Sequence, residues 1–352
     1  MARPLNEIKT YRLDQLEYLV KDLGQPKFRA KQIYEWFHVK HASSYDEMTN
    51  LPLVLRAQLA EECPLASSHI ADKRISSDGT RKYIVEFADG QRAETVGLPS
   101  ENNDASKQRL TVCFSTQVGC PMGCAFCATG REGFKRNLTA SEIVDQILTV
   151  EKDFSQRVTN AVAMGQGEPF LNYDETLKAL RIMNEKEGLN IGARHITVST
   201  CGIIEGIERF AKEPEQFTLA VSLHSAIQTK RDDLMPKVAN QPLDQLKPAL
   251  ESYIRKTNRR VTFEYLLIRD VNDGPDDLKA LLRFCEGLLC HVNLLPVNTV
   301  EGSQFKPSKK HVSEIWLKEF EKRHIEATFR KSRGADISGA CGQLKNEMEQ
   351  GK

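Results

Sequence analysis

The chain has 352 residues, 40% of them hydrophobic and 28% charged, with 49 Lys and Arg against 48 Asp and Glu. That length suits one large domain with a smaller one beside it, and the near-zero formal charge of +1 does not by itself announce a nucleic-acid partner. No stretch approaches the ~20 consecutive apolar residues of a membrane helix, and the opening MARPLNEIKTYRLDQL lacks the apolar core of a secretory signal. A cytoplasmic protein without membrane association is therefore expected, and nine cysteines in such a chain point to metal or redox chemistry more readily than to structural disulfides.

Residues 11–62 read as helices. Leu13, Leu16, Leu19, Val20 and Leu23 recur at helical spacing, then Ile33, Tyr34, Trp36 and Phe37, then Leu51 to Leu59. Residues 72–98 change character: Ser77-Asp78-Gly79 is a turn signal, and a hairpin is expected around Asp89-Gly90. Residues 101–108 read as a polar loop. From Leu110 strand and helix patterns alternate. Candidate strands are 110–115, 160–165, 195–200, 217–224, 261–268 and 290–297, with another at 325–331. Amphipathic segments lie between them, such as Ile143, Val144, Ile147 and Leu148, then Leu177, Leu180 and Met183. The alternation predicts an α/β fold with a parallel sheet. Six or seven units fall short of a closed eight-stranded barrel, so a partial (β/α)6 barrel is expected.

In such sheets chemistry collects at the C-terminal ends of the strands. Cys120, Cys124 and Cys127 follow the first strand, in GCPMGCAFCATG with the spacing C-x3-C-x2-C. Three thiolates can hold three irons of a [4Fe–4S] cube and leave the fourth open to a small molecule. Structural zinc more often takes four ligands, and no second C-x2-C pair is present. Gly165-Gln166-Gly167-Glu168-Pro169 follows the second strand, Ser199 ends the third, Ser222 and His224 end the fourth, and Asn298 follows the sixth. Singly, each reads as loop or core chemistry; together they fall on one rim.

The block CFSTQVGCPMGCAFCATGREGFKRNLTASEI, with MGQGEP, VSLH, LLPVN and RKSRGADISGACGQL, closely resembles the radical S-adenosylmethionine (SAM) adenine methyltransferases of ribosomal RNA. The resemblance runs from about Phe28 to about Leu344. It implies a radical-SAM barrel at 106–335, an N-terminal helical RNA-binding domain at 1–70, a β-hairpin region at 71–105, and a C-terminal segment at 336–352 carrying a methyl-accepting cysteine. The implied cofactors are one [4Fe–4S] cluster on Cys120, Cys124 and Cys127 and two equivalents of SAM per turnover. The implied SAM contacts are Gly167, Glu168, Ser199, Ser222, Leu223, His224 and Asn298, and Phe126 matches the family's aromatic beside the last cluster ligand.

The chemistry explains why such a family needs a radical. Adenine carbons C2 and C8 are electron-poor, so they cannot attack the methyl of SAM as nucleophiles. In the family a reduced cluster splits SAM to a 5′-deoxyadenosyl radical. Cys341 matches the cysteine that is methylated by one SAM, loses hydrogen to the radical from a second, and joins covalently to the adenine. Cys113 matches the cysteine that resolves this adduct and ends in a disulfide with Cys341. Glu94 matches the proposed proton acceptor. By residue chemistry alone, Cys113 would be core, Cys341 a packed free thiol and Glu94 an exposed strand residue.

The resemblance favours 2-methyladenosine in 23S rRNA and in some tRNAs, because Pro169 and Arg330 to Gly334 match the C2 branch. The alternatives are the C8-methylating resistance branch, or an iron–sulfur RNA-binding protein without turnover. A flavodoxin or ferredoxin as electron donor and a monomeric state are expected. Candidate RNA contacts are the N-terminal helices and three basic clusters: Arg255, Lys256, Arg259 and Arg260; Lys306, Lys309 and Lys310; and Arg330, Lys331 and Arg333.

Overall fold

The computed structural model describes residues 4–66, 68–100, 108–298 and 303–344. Most of the loop expected at 101–108 and the end of the C-terminal segment, 345–352, lie outside the described residues.

The N-terminal helices form a small body with its own core. They are α1 (Leu13–Asp22), α2 (Phe28–His38) and α3 (Leu53–Glu62). Leu16, Leu19 and Val20 on α1 bury against Ile33, Tyr34 and Phe37 on α2 and Leu55 and Leu59 on α3, the apolar stripe that the spacing predicts. This body is joined to the rest by a buried ion pair. Lys9 Nζ lies 3.2 Å from both carboxylate oxygens of Asp145, which also accepts a hydrogen bond from Ser68 Oγ at 2.8 Å.

Ten strands make one sheet. Three antiparallel strands, β1 (His69–Ile75), β2 (Arg81–Glu86) and β3 (Arg92–Pro99), precede seven parallel ones. The seven are β4 (Leu110–Cys113), β7 (Asn160–Ala163), β8 (Ile196–Thr200), β9 (Thr218–Ser222), β10 (Val261–Leu267), β11 (Cys290–Pro296) and β12 (Glu326–Phe329). The hairpin region is thus an extension of the barrel sheet, with β3 pairing β4 antiparallel and Val96 opposite Cys113. A separate two-stranded ribbon, β5 (Gln117–Gly119) with β6 (Phe134–Asn137), brackets the cysteine loop.

Helices α5 (Ala140–Phe154), α6 (Tyr173–Asn184), α7 (Ile204–Phe210), α8 (Gln228–Leu234), α9 (Leu243–Thr257), α10 (Pro275–Cys285) and α11 (Lys310–Lys322) connect the parallel strands. The short α4 (Ala128–Glu132) follows the last cysteine of the loop. Thr139 starts α5 by a capping box, accepting from the Glu142 N–H while Glu142 accepts from the Thr139 N–H. The main core lies between strands and helices, where Val112, Ala161, Val198, Leu219 and Phe263 meet Ile143, Ile147, Leu180 and Leu250. Among the described residues no helix is long and apolar enough to cross a membrane.

Candidate functional site

At the C-terminal ends of the parallel strands lies a cavity of about 290 Å³. Cys120, Cys124 and Cys127 line it together with Cys113, Cys341, Gly167, Glu168, Ser199, Ser222, His224 and Asn298. The expected rim therefore lines one cavity. Two expected residues do not reach it.

The cysteine loop is shaped from both sides. Gly119, at φ 75°, lies so close to the Gly133 carbonyl that a Cβ would collide with it, and the Cys120 N–H donates to that same carbonyl at 2.9 Å. The Ala125 N–H donates to the Leu234 carbonyl at 2.9 Å, which fastens the loop to the end of α8. Met122, Phe126, Leu234, Met235, Leu266 and Val297 form an apolar shell against which the three thiol residues pack.

Burial pushes the Cys120 thiol up to about 12. Burial, and then the neighbouring Cys127 and Cys120, push the Cys124 thiol well above its usual range. Cys120 and Cys124, crowded in an apolar shell, resist ionising alone, and a bound cationic core supplies the charge that lets them do so. Among the described residues no three ligating side chains converge on one point as a single ion requires. Three soft donors that line one cavity and pack on one apolar shell fit an iron–sulfur cluster.

Glu168 is fully enclosed and burial raises its pKa. One carboxylate oxygen accepts from the Phe170 N–H at 3.0 Å and the other from the Cys201 N–H at 2.7 Å. It thus clamps the end of β7 to the end of β8. Gly167, at φ 107°, leaves no room for a Cβ, which would sit 2.8 Å from Gln117. Ser199 and Ser222 meet across β8 and β9, their hydroxyls 3.4 Å apart.

His224 takes a left-handed conformation, φ 53°. Its Nδ1 accepts from the Leu266 N–H at 3.1 Å, so Nε2 carries the proton. Burial, and then Arg231, lower its pKa to about 3, and its ring meets Phe126 edge-on with centroids 4.7 Å apart. The Asn298 amide donates to the Cys341 carbonyl at 3.0 Å, tying the C-terminal segment to the rim. Gly342 does the same from the other side, its carbonyl accepting from the Ala128 N–H at 2.8 Å.

Cys113 and Cys341 line the same cavity, close enough that a charge on Cys341 disfavours the Cys113 thiolate. Burial and then Cys341 push the Cys113 thiol up; Cys341 is exposed as a residue, but loss of water around its thiol at the cavity and then Glu264 push that thiol up, while Arg330 pulls both down.

Several expectations need correction. The disulfide is not formed: all nine cysteines are free thiols. Leu223 points into the core between strands and helices and does not line the cavity. Glu94 is buried rather than exposed and is not among the residues lining the cavity. It sits two residues along β3 from Val96, which does line the cavity, and its carboxylate is 3.0 Å from Lys82 Nζ. The third basic cluster, expected as a candidate RNA contact, lines the same cavity through Arg330, Lys331 and Arg333. Arg333 is held by the Pro99 and Asp78 carbonyls. In the first cluster Arg260 pairs with Glu326, and Arg259 donates to the Glu215 and Phe217 carbonyls.

Sequence reading missed Cys201 as the clamp on Glu168 and Glu264 as a cavity-wall carboxylate. Glu264 is buried, accepts from the Asn293 amide at 2.9 Å and is pushed up by burial. A glutamate amid Phe263 and Tyr265 in an otherwise apolar strand was the available signal.

The partial barrel and its three-cysteine loop define a radical SAM enzyme, and the pattern of the Radical SAM superfamily matches residues 114–285. Residues 7–65 match the ribosomal RNA large subunit methyltransferase N-terminal domain. The chain is 41% identical over 345 residues to a protein of Syntrophomonas wolfei named "Probable dual-specificity RNA methyltransferase RlmN", covering 95% of this chain and 96% of that one. It is 43% identical over 336 residues to the protein of that name from Alkaliphilus metalliredigens, covering 95% and 94%. A crystal structure of a radical SAM methyltransferase from Sphaerobacter thermophilus superposes with a TM-score of 0.90 at 43% identity, covering 96% of this chain and 99% of that one. The chain belongs to the RlmN family of radical SAM RNA methyltransferases. Membership in the superfamily implies a [4Fe–4S] cluster and SAM.

Proposed function

We propose that this chain methylates C2 of an adenine in 23S rRNA and in some tRNAs, with Cys341 as the methyl carrier. The observation that supports this reading best is the sharing of one cavity by Cys341, Cys113 and the cysteine trio. A binder without turnover has no use for two further thiols there. Pro169 and the Arg330–Gly334 run favour C2 over C8.

Cys120, Cys124 and Cys127 would hold the cluster, which when bound supplies the electron that splits a SAM sulfonium homolytically. Gly167 and Glu168 form the floor on which the amino group of SAM rests, the carboxylate having lone pairs left beyond its two backbone partners. Ser199, Ser222, His224 and Asn298 line the remaining SAM site, and His224, held neutral, contributes a donor rather than a charge.

Cys341 accepts the first methyl once its proton leaves, and Arg330 at the mouth favours the thiolate. Two SAM molecules are used per turnover: one methylates Cys341, the other activates that methyl. Cys113 resolves the adduct, and its pairing with Cys341 is a step of the cycle rather than a resting bond. For Glu94 to take the ring proton, its pair with Lys82 has to open. The N-terminal helical body, residues 1–70, binds RNA beside a hairpin region at 71–105, the core at 106–335 and the carrier segment at 336–352. Reduction by a flavodoxin or ferredoxin, a monomeric state and a cytoplasmic location complete this reading. The adenine must leave its stack to enter the cavity and reach Cys341.

The test is nucleoside mass spectrometry. Anaerobically reconstituted protein, SAM, a reductant and unmodified 23S rRNA are expected to yield 2-methyladenosine; 8-methyladenosine or unmodified adenosine would overturn the assignment.

A further inference from the structure

We propose that Arg231 is a fixed positive charge that balances the thiolate-bound cluster and raises its reduction potential. The inference rests on the reading of the cysteine trio as cluster ligands. Arg231 stands on α8 and is fully buried, at 0% exposure. Its Nη2 donates to the Cys201 carbonyl at 2.7 Å and its Nη1 to the Gln241 carbonyl at 3.0 Å, while Nε has no hydrogen-bond partner.

Among the described residues no carboxylate lies within ion-pair distance of this guanidinium. The neighbouring Asp232 carboxylate is engaged by the Gln228 amide. Glu168 meets Cys201 through a different peptide group, accepting the Cys201 N–H rather than pairing with the guanidinium. A buried cation without a carboxylate partner is costly, and such a site calls for an anion.

The geometry points that anion toward the cysteine loop. The charges nearest Arg231 are those of Cys201 and Asp232 and then Cys124, and Cys201, whose carbonyl Arg231 holds, packs in the same apolar shell as the cysteine trio. The helix that carries Arg231 is fastened to the loop, since the Leu234 carbonyl accepts from the Ala125 N–H and Met235 lines the cavity. Space for the guanidinium is built in: Gly202, at φ 99°, lies where a Cβ would be 2.9 Å from Nη2. Three thiolates outweigh the positive charge of an iron–sulfur core, so the loaded site is anionic, and an added electron makes it more so. A cation fixed nearby in a low-dielectric shell favours the reduced form. Arg231 acts through the cluster and is a positioning charge.

The test compares Arg231→Met, Arg231→Gln and Arg231→Lys with the wild type. Iron and sulfide content are measured first, then the reduced fraction by redox titration followed by electron paramagnetic resonance. At the wild-type midpoint, Arg231→Met is expected to lower the reduced-to-oxidised ratio about tenfold, equivalent to ~59 mV for a one-electron couple. Arg231→Lys, which keeps the charge, is expected to stay within about threefold, with Arg231→Gln following Met.

A second measurement guards against a purely structural role. Neutralisation is expected to destabilise the cluster-loaded protein toward urea and to leave the cluster-free protein as stable or more so. Equal ratios for the Lys and Gln variants, or equal destabilisation of loaded and cluster-free protein, overturn the proposal. A normal cluster with an unmoved potential removes Arg231 alone. A wild-type protein free of iron and sulfide removes the reading of the trio, and this proposal with it.

Discussion

Two histidines, His38 and His224, are held neutral by burial, and both have pKa values lowered to about 3. His38 is the cleaner probe because it lies in the N-terminal body, its ring tilted against Tyr34 with centroids 4.5 Å apart, away from the cavity. Its depression comes first from burial, then from Lys9 and His41. Between the unfolded value near 6.5 and about 3, the unfolded chain binds a proton that the folded one refuses. Stability is therefore complete above the unfolded value and falls as pH drops through that window. From pH 7 to pH 5 this one group accounts for about 2 kcal/mol. His38→Gln is expected to remove that share of the pH dependence, read from unfolding free energies at the two pH values; an unchanged slope contradicts the assignment. The sequence could not supply this, since a histidine after an amphipathic helix face reads equally as surface. Glu94 is a similar case: its partner Lys82 faces the residue two places along, Val96, a diagonal contact that exists only once the register of β2 and β3 is fixed.

At the scale of elements, six of the seven parallel strands were legible as largely apolar runs ending in polar or glycine-rich residues, and β12, Glu326–Phe329, only by its place after the sixth unit. The ribbon of β5 and β6 was not. Its segments QVG and FKRN are short and mixed, and their pairing is set by the close approach of Gly119 to Gly133. That contact positions Cys120. Gly119→Ala combines a disfavoured left-handed conformation with a Cβ driven into the Gly133 carbonyl. It is expected to lower the iron bound per chain to well under half the wild-type value while the far-ultraviolet spectrum of the barrel is retained. Full iron loading would show that the ribbon does not shape the loop. The extension of the barrel sheet by β1 to β3 was legible as a hairpin but not as part of the barrel, because the pairing of β3 with β4 joins segments on either side of residues 101–107.

For the molecule as a whole, two cores are joined through few polar contacts. Lys9 and Asp145 are 5% and 6% exposed, so removing one partner strands a buried charge, at about 3–5 kcal/mol. Asp145→Ala is expected to raise hydrogen exchange across residues 4–66 while the barrel strands stay protected, with Asp145→Asn intermediate. Uniform exchange in both bodies would mean that the apolar contacts alone hold them together. The site itself was legible as a rim of residue types at strand ends, and the resemblance supplied the roles. Arg231 stayed hidden, because an arginine in a short helix reads as surface until the helix is seen under the cysteine loop.

The central claim is that the cavity carries a methyl group on the chain before it reaches RNA. Peptide mass spectrometry of active enzyme, incubated with methyl-labelled SAM and stopped before RNA is added, tests it most directly. One labelled methyl on Cys341 and none on Cys113 is the expected result; an enzyme that methylates RNA while Cys341 remains unlabelled contradicts the account.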